Sequence, residues 1–109
     1  MSILDADKIY SELIAAGDDW ADKDAAAGIL EETKRSILAQ LTIDRDDSVS
    51  RLEREQLALA GPVYRGHIIA MCEARKIANK AKVRYQAIQT LAELRRSQES
   101  TRRQEMRLV

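Results

Sequence analysis

The stretch PVYRGHIIAMCEARKIANKAKVRYQAIQTLA, residues 62–92, decides the fold. Within it Tyr64, His67, Met71, Ala74, Ala78, Ala81, Tyr85, Ile88 and Ala92 recur at alternating steps of three and four, the spacing of a coiled-coil seam. Pro62 suits the first turn of a helix, and beyond it only Gly66 weakens one, so the helix is expected to run to about Met106. At ~1.5 Å per residue that is a rod of roughly 65 Å. Most helical stability comes from packing, so such a rod needs a second arm or a second subunit. The small Ala74, Ala78 and Ala81 permit that neighbour to come close.

Upstream of the Gly61-Pro62 corner the chain also reads as helix. Sixteen alanines, with abundant Leu, Glu, Lys, Arg and Gln, favour helices, and hairpin dipeptides such as Asn-Gly are absent. A short helix over about residues 3–16 is expected, capped by Ser2, with Ile3, Tyr10, Leu13 and Ile14 on one side and Gly17 at its end. A first arm over about 19–60 follows, with Trp20, Ala27, Leu30, Ile37 and Leu41 as its stripe and Lys34 interrupting it. Residues 42–48 are polar and short, and read either as a continuation or as a break. Val49, Leu52, Gln56 and Leu59 resume the three-four pattern after a Ser50-x-x-Glu53 capping box.

The expected fold is therefore all-α: a long antiparallel, coiled-coil-like helical hairpin with a short N-terminal helix, in one domain spanning 1–109. A tight corner at Gly61-Pro62 gives facing residues whose numbers sum to about 123. That register sets Leu52 near Met71, Leu41 near Lys82 and Ile37 near Tyr85–Ala87. It sets Asp44, Asp46 and Asp47 near Lys76 and Lys80, and Trp20 and Asp22 near Arg102 and Arg103.

The charges bear on function. Eighteen basic and eighteen acidic side chains cancel over 109 residues. Residues 1–61 carry 14 acids and 7 bases, and residues 62–109 carry 11 bases and 4 acids, so the halves stand at −7 and +7. Arg75, Lys76, Lys80, Lys82, Arg84, Arg95, Arg96, Arg102 and Arg103 are the candidates for nucleic-acid or partner binding, since such side chains neutralise phosphates. Tyr85 could stack on an unpaired base. The competing reading folds the acidic half back onto the basic one, and is favoured for the middle of the last helix, where the acids of the first arm are expected to lie opposite.

Catalytic signals are sparse. One Cys and one His make neither a disulfide framework nor a typical zinc site, and no phosphate-cradling glycine pattern occurs. His67 on the apolar stripe reads as a structural histidine, and Cys72 beside the seam as a packed thiol. Asp18, Asp19, Asp22 and Asp24 read as helix-start acids. No catalytic, cofactor-binding or metal site is expected. Neither a membrane span nor, in Met1-Ser2-Ile3-Leu4-Asp5, a signal peptide is visible, so the expected setting is cytoplasmic and membrane-free.

Gly61-Pro62-Val63-Tyr64-Arg65, Glu73 through Tyr85, and Thr101-Arg102-Arg103-Gln104-Glu105-Met106-Arg107-Leu108 carry a resemblance. Across its last half the chain resembles small α-helical accessory proteins of bacteriophages and prophages, encoded near replication or recombination functions. The resemblance implies a non-enzymatic protein that binds a replication or recombination protein, with a homodimer as one form. Direct nucleic-acid binding by the basic face is the alternative, and a small enzyme using His67 or Cys72 is the third.

Overall fold

A computed structural model describes residues 5–44 and 48–108. It contains three helices, α1 (Ala6–Ile43), α2 (Arg51–Ala60) and α3 (Pro62–Leu108), and no strand among the described residues. The fold is all-α, with α1 and α3 pairing antiparallel. The chain divides into two compact units, one of Met1–Asp22 with Asn79–Val109, the other of Lys23–Ala78.

The helix boundaries differ from the sequence expectation in one main respect. No separate helix ends at Gly17, because α1 is continuous from Ala6 to Ile43. The expected Ser2 cap lies outside the described residues. Asp5 does the capping, its Oδ1 accepting the Lys8 N–H at 2.9 Å. A lone glycine costs a helix only about 1 kcal/mol, too little to stop one that packs on both sides of it. Of the two readings of residues 42–48 the break is the one found: α1 ends at Ile43, and α2 is a separate ten-residue helix from Arg51.

Ser50 caps α2 as its sequence suggests, its side chain accepting the Glu53 N–H at 3.2 Å. At the other end Gly61 has φ −76° and ψ 161°, not the left-handed conformation of a glycine stop. Steric clash with Pro62 drives the preceding residue to extended backbone, and the Gly61 carbonyl then accepts the Arg65 N–H in the first turn of α3. The expected α2 stripe is not its packing face. Leu52, Gln56 and Leu59 are exposed, whereas Ala58 is buried and Arg54 and Glu55 are half-buried. Detached from a long arm, α2 packs by its small residue, which allows the closest approach.

On α3 all nine predicted seam residues are buried or half-buried. On α1 the residues turned inward are Ile9, Leu13, Ala16, Trp20, Ala27, Leu30, Lys34, Ile37 and Leu41, again in three-four phase. Continuity of α1 sets that phase. It carries Ile9 into the seam and leaves Tyr10 and Ile14 exposed, against the expected Tyr10–Ile14 face.

In the first unit Ile9, Ala16, Ile88 and Ala92 form the core, with Leu13 and Tyr85 packed on it. The register is shorter than expected. Gly17 faces Tyr85 and Trp20 faces Lys82, each pair summing to 102. In the second unit Leu30 faces His67 and Glu31 faces Arg75. The sum of about 123 fails because α1, which ends at Ile43, and not a continuous 19–60 arm, packs on α3 in each unit, with α2 a separate helix.

Gly17 is where close approach matters. A Cβ added there would stand 3.3 Å from Tyr85 Cε2, whereas one added at Gly66 would meet nothing within 4 Å. Gly66→Ala should therefore stabilise the protein by roughly 0.5–1 kcal/mol. Gly17→Ala should lose that gain to crowding of the tyrosine ring. Thermal denaturation of the two variants separates these, and equal gains would mean that Tyr85 does not set the spacing.

Candidate functional site

The nine basic candidates lie on α3, and the helix gives them different surroundings. Arg75 is engaged across the second unit. Its Nε and Nη2 donate to Glu31 at 3.0 and 2.6 Å, and its Nη1 donates to Asp24 at 2.6 Å. Asp24 and Glu31 are seven residues apart, two turns along one face of α1, and the guanidinium fork sits between them. Asp24 is read from the sequence as a helix-start acid, but it lies inside α1, which begins at Ala6; Glu31 is not marked by the sequence reading, although its seven-residue spacing from Asp24 is the signal.

The hydrogen bond from Arg75 holds the Glu31 carboxyl below its ordinary value of 4.5. Partial desolvation opposes the shift, Coulomb attraction to Arg75 adds to it, and the Asp24 charge opposes it. The Glu31 and Asp24 hydrogen bonds push the Arg75 guanidinium further up. A carboxyl with a lowered folded value contributes stability that is present above its unfolded value and is lost as pH falls through the folded one. The thermal-stability gap between the wild type and Arg75→Gln should thus narrow as pH is taken from about 5 to about 3. Added salt should narrow it too, because the groups are partly exposed. A gap constant with pH would remove this ion-pair network as its source.

In the first unit Lys82 Nζ stands 5.8 Å over the Trp20 ring, within cation–π range. Trp20 in turn meets Tyr85 with centroids 5.4 Å apart and a tilt of 36°. Tyr85 is therefore packed between Gly17 and Trp20 instead of being presented to a base. Lys76, Lys80 and Arg84 are exposed. Arg95 is half-buried, pairs with Glu99 at 3.2 Å one turn along, and keeps a buried Nε with no hydrogen-bond partner. Arg96, Arg102 and Arg103 are exposed, Arg103 Nε donating to the Glu99 carbonyl at 3.4 Å.

The register settles what neutralises the terminal arginines. Trp20 faces Tyr85 and Lys82, so neighbouring Asp18, Asp19 and Asp22 lie far along α1 from Arg102 and Arg103. The expected meeting of Trp20 and Asp22 with those arginines does not occur. Of the pairing expected of Asp44, Asp46 and Asp47 with Lys76 and Lys80, Asp46 and Asp47 lie outside the described residues, and Asp44 Oδ1 accepts instead from the Gln40 side chain at 3.0 Å.

His67 and Cys72 are the remaining candidates. His67 Nε2 donates to the Leu30 carbonyl at 2.8 Å, tying α3 to α1 through a partly buried ring. Cys72 is exposed, contrary to a packed thiol, because position 72 falls just off the seam. Among the described residues no group of three or more His, Cys, Asp or Glu side chains could hold a metal ion. A groove of about 350 Å³ between the end of α1 and α2 is lined by Arg35, Leu38, Thr42, Ile43, Arg51 and Glu55, without a nucleophile beside a base. No helix among the described residues is long and apolar enough to cross a membrane. Comparison of the chain with protein-family models, with curated proteins and with solved structures finds no match.

Proposed function

We propose that this protein is a non-enzymatic interaction protein that works through helix-mediated binding of another protein. The observation that carries the reading is the outward placement of its larger aliphatic side chains. Six of the eight buried hydrophobic residues among those described are alanines, while Ile14, Ile29, Leu52, Val63, Ile69 and Val83 are exposed. Apolar side chains exposed on the outside of a helix are available to a partner helix or groove. The resemblance to phage and prophage accessory proteins adds a setting: a cytoplasmic partner acting in DNA replication or recombination.

Copurification with crosslinking from the native host tests it. Ile14→Lys and Ile69→Lys should leave the fold intact and reduce the captured protein. A wild type that captures nothing, or variants that capture as well as the wild type, would overturn the reading.

Direct nucleic-acid binding is the second reading. It is favoured by Arg96, Arg102 and Arg103, which are exposed and form no ion pair among the described residues. Titration at two salt concentrations tests it, since phosphate contacts weaken steeply with salt. Absence of binding at low salt would eliminate it.

A further inference from the structure

One groove of the second unit brings arginines from two helices to an aliphatic floor. It has a volume of about 350 Å³ and lies between the end of α1 and the start of α2. α1 contributes Arg35, Leu38, Ala39 and Ile43, which the helical repeat sets along one face. α2 contributes Arg51, Arg54 and Glu55, three and four residues apart on a face of its own. The volume falls within the range of small-molecule sites.

Its lining selects among ligands. Leu38 is half-buried, while Ala39 and Ile43 are exposed, Ile43 at 68%, so the floor is apolar surface open to solvent. Arg35 and Arg51 form no ion pair among the described residues. Even without Arg54 they outnumber Glu55, the only carboxylate of the lining. The negative end of the α1 dipole and the positive end of the α2 dipole both lie here, and these half-charges offset each other. The side chains therefore decide the sign, and a cationic ligand is repelled. A wholly apolar ligand would desolvate guanidinium groups and give them no acceptor. An inorganic anion would satisfy the arginines and leave the aliphatic floor uncovered. A ligand with an anionic head and a short apolar tail matches both.

We propose that the groove between α1 and α2 binds a small amphipathic anion, an alkyl carboxylate whose tail lies on Leu38, Ala39 and Ile43 and whose head is held by the arginines of the rim. The α1 wall from Arg35 to Ile43 rises only ~12 Å, so the tail is short. Guanidinium groups suit the head because their planar forks match a carboxylate. The site is separate from Ile14 and Ile69, on which the protein-binding reading is tested, and it stands or falls independently of that reading.

Titration of the full chain with decanoate below its micellar concentration, followed by backbone amide chemical shifts, tests it. The shifts should saturate and centre on residues 35–43 and 51–55. Decyltrimethylammonium, which has a similar tail and a cationic head, should bind about tenfold more weakly or worse, and so should inorganic phosphate, a head without a tail. Arg51→Gln, Arg35→Gln and Ile43→Gln should each weaken decanoate by about fivefold or more. Arg84→Gln, at an exposed position outside this unit, should leave it unchanged. Arg35, Ile43 and Arg51 are also exposed, and far-UV circular dichroism checks that each variant keeps its helices. A decanoate titration without saturable shifts overturns the proposal. So does a cationic amphiphile that binds as tightly, which would make the groove a merely apolar face. Phosphate binding as tightly as decanoate would leave charge alone and overturn it too. Shifts centred elsewhere, or an equal loss in Arg84→Gln, would mean diffuse attraction and have the same consequence.

Discussion

Replacing Ile88 by alanine should lower stability by about 2–4 kcal/mol and the thermal midpoint by at least about 10 °C. Ile9 and Ile88 are the only buried side chains larger than alanine among the described residues, at 3% and 8% exposure. They share one cluster with Ala16 and Ala92, and Leu13 and Tyr85 close over it. Removing three carbons there deletes a large part of the apolar burial of this unit, and the surrounding alanines have no side-chain length with which to refill the space. Leu94→Ala, at an exposed position of the same helix, should change stability by less than about 0.5 kcal/mol. Urea unfolding of the two variants measures the contrast. Equal losses would mean that the Ile9–Ile88 cluster is not the core of its unit.

Ala78→Leu should be costly in the opposite way. Ala78 has no exposed surface, and it sits in the middle of the alanine seam. Three extra carbons have nowhere to go unless the helices of that unit separate, a strain of typically about 1–3 kcal/mol. Its neighbour Ile77 is 43% exposed, so Ile77→Ala should be nearly silent despite removing a larger side chain. Adding atoms at residue 78 should thus destabilise more than deleting them at residue 77. The reverse order in thermal or urea unfolding would contradict the close approach at the seam.

Much of this architecture was legible in residue order. The seam of α3 is a spacing, and so is most of that of α1 from Trp20 onward; Lys34 stands in that seam half-buried, consistent with an apolar stem lying along it. The Ser50 cap and the start of α3 at Pro62 are likewise local chemistry. The continuity of α1 was not legible, because Gly17 has the local appearance of a stop. What cancels that appearance is a tyrosine 68 positions away, whose ring occupies the space a side chain would need. The packing face of α2 differs from its three-four stripe: in a ten-residue helix the small Ala58 is buried while Leu52, Gln56 and Leu59 are exposed.

Of the candidate site, the sequence displayed the basic residues but not their company. Arg75 is held between Asp24 and Glu31, Lys82 lies over Trp20, and Arg102 and Arg103 have no acidic cover from Asp18, Asp19 or Asp22. These assignments all follow from the register.

The sequence by itself determined helix type, the long last helix and which of its faces is apolar, because propensity and periodicity are properties of neighbours within a few turns. Only the tertiary structure decided which segment covers that face and at what level. An alanine seam is nearly indifferent to sliding by a heptad, so spacing alone cannot select a register. The choice falls to a few long-range fits: the Tyr85 ring against Gly17 and Trp20, and the Arg75 fork between two carboxylates.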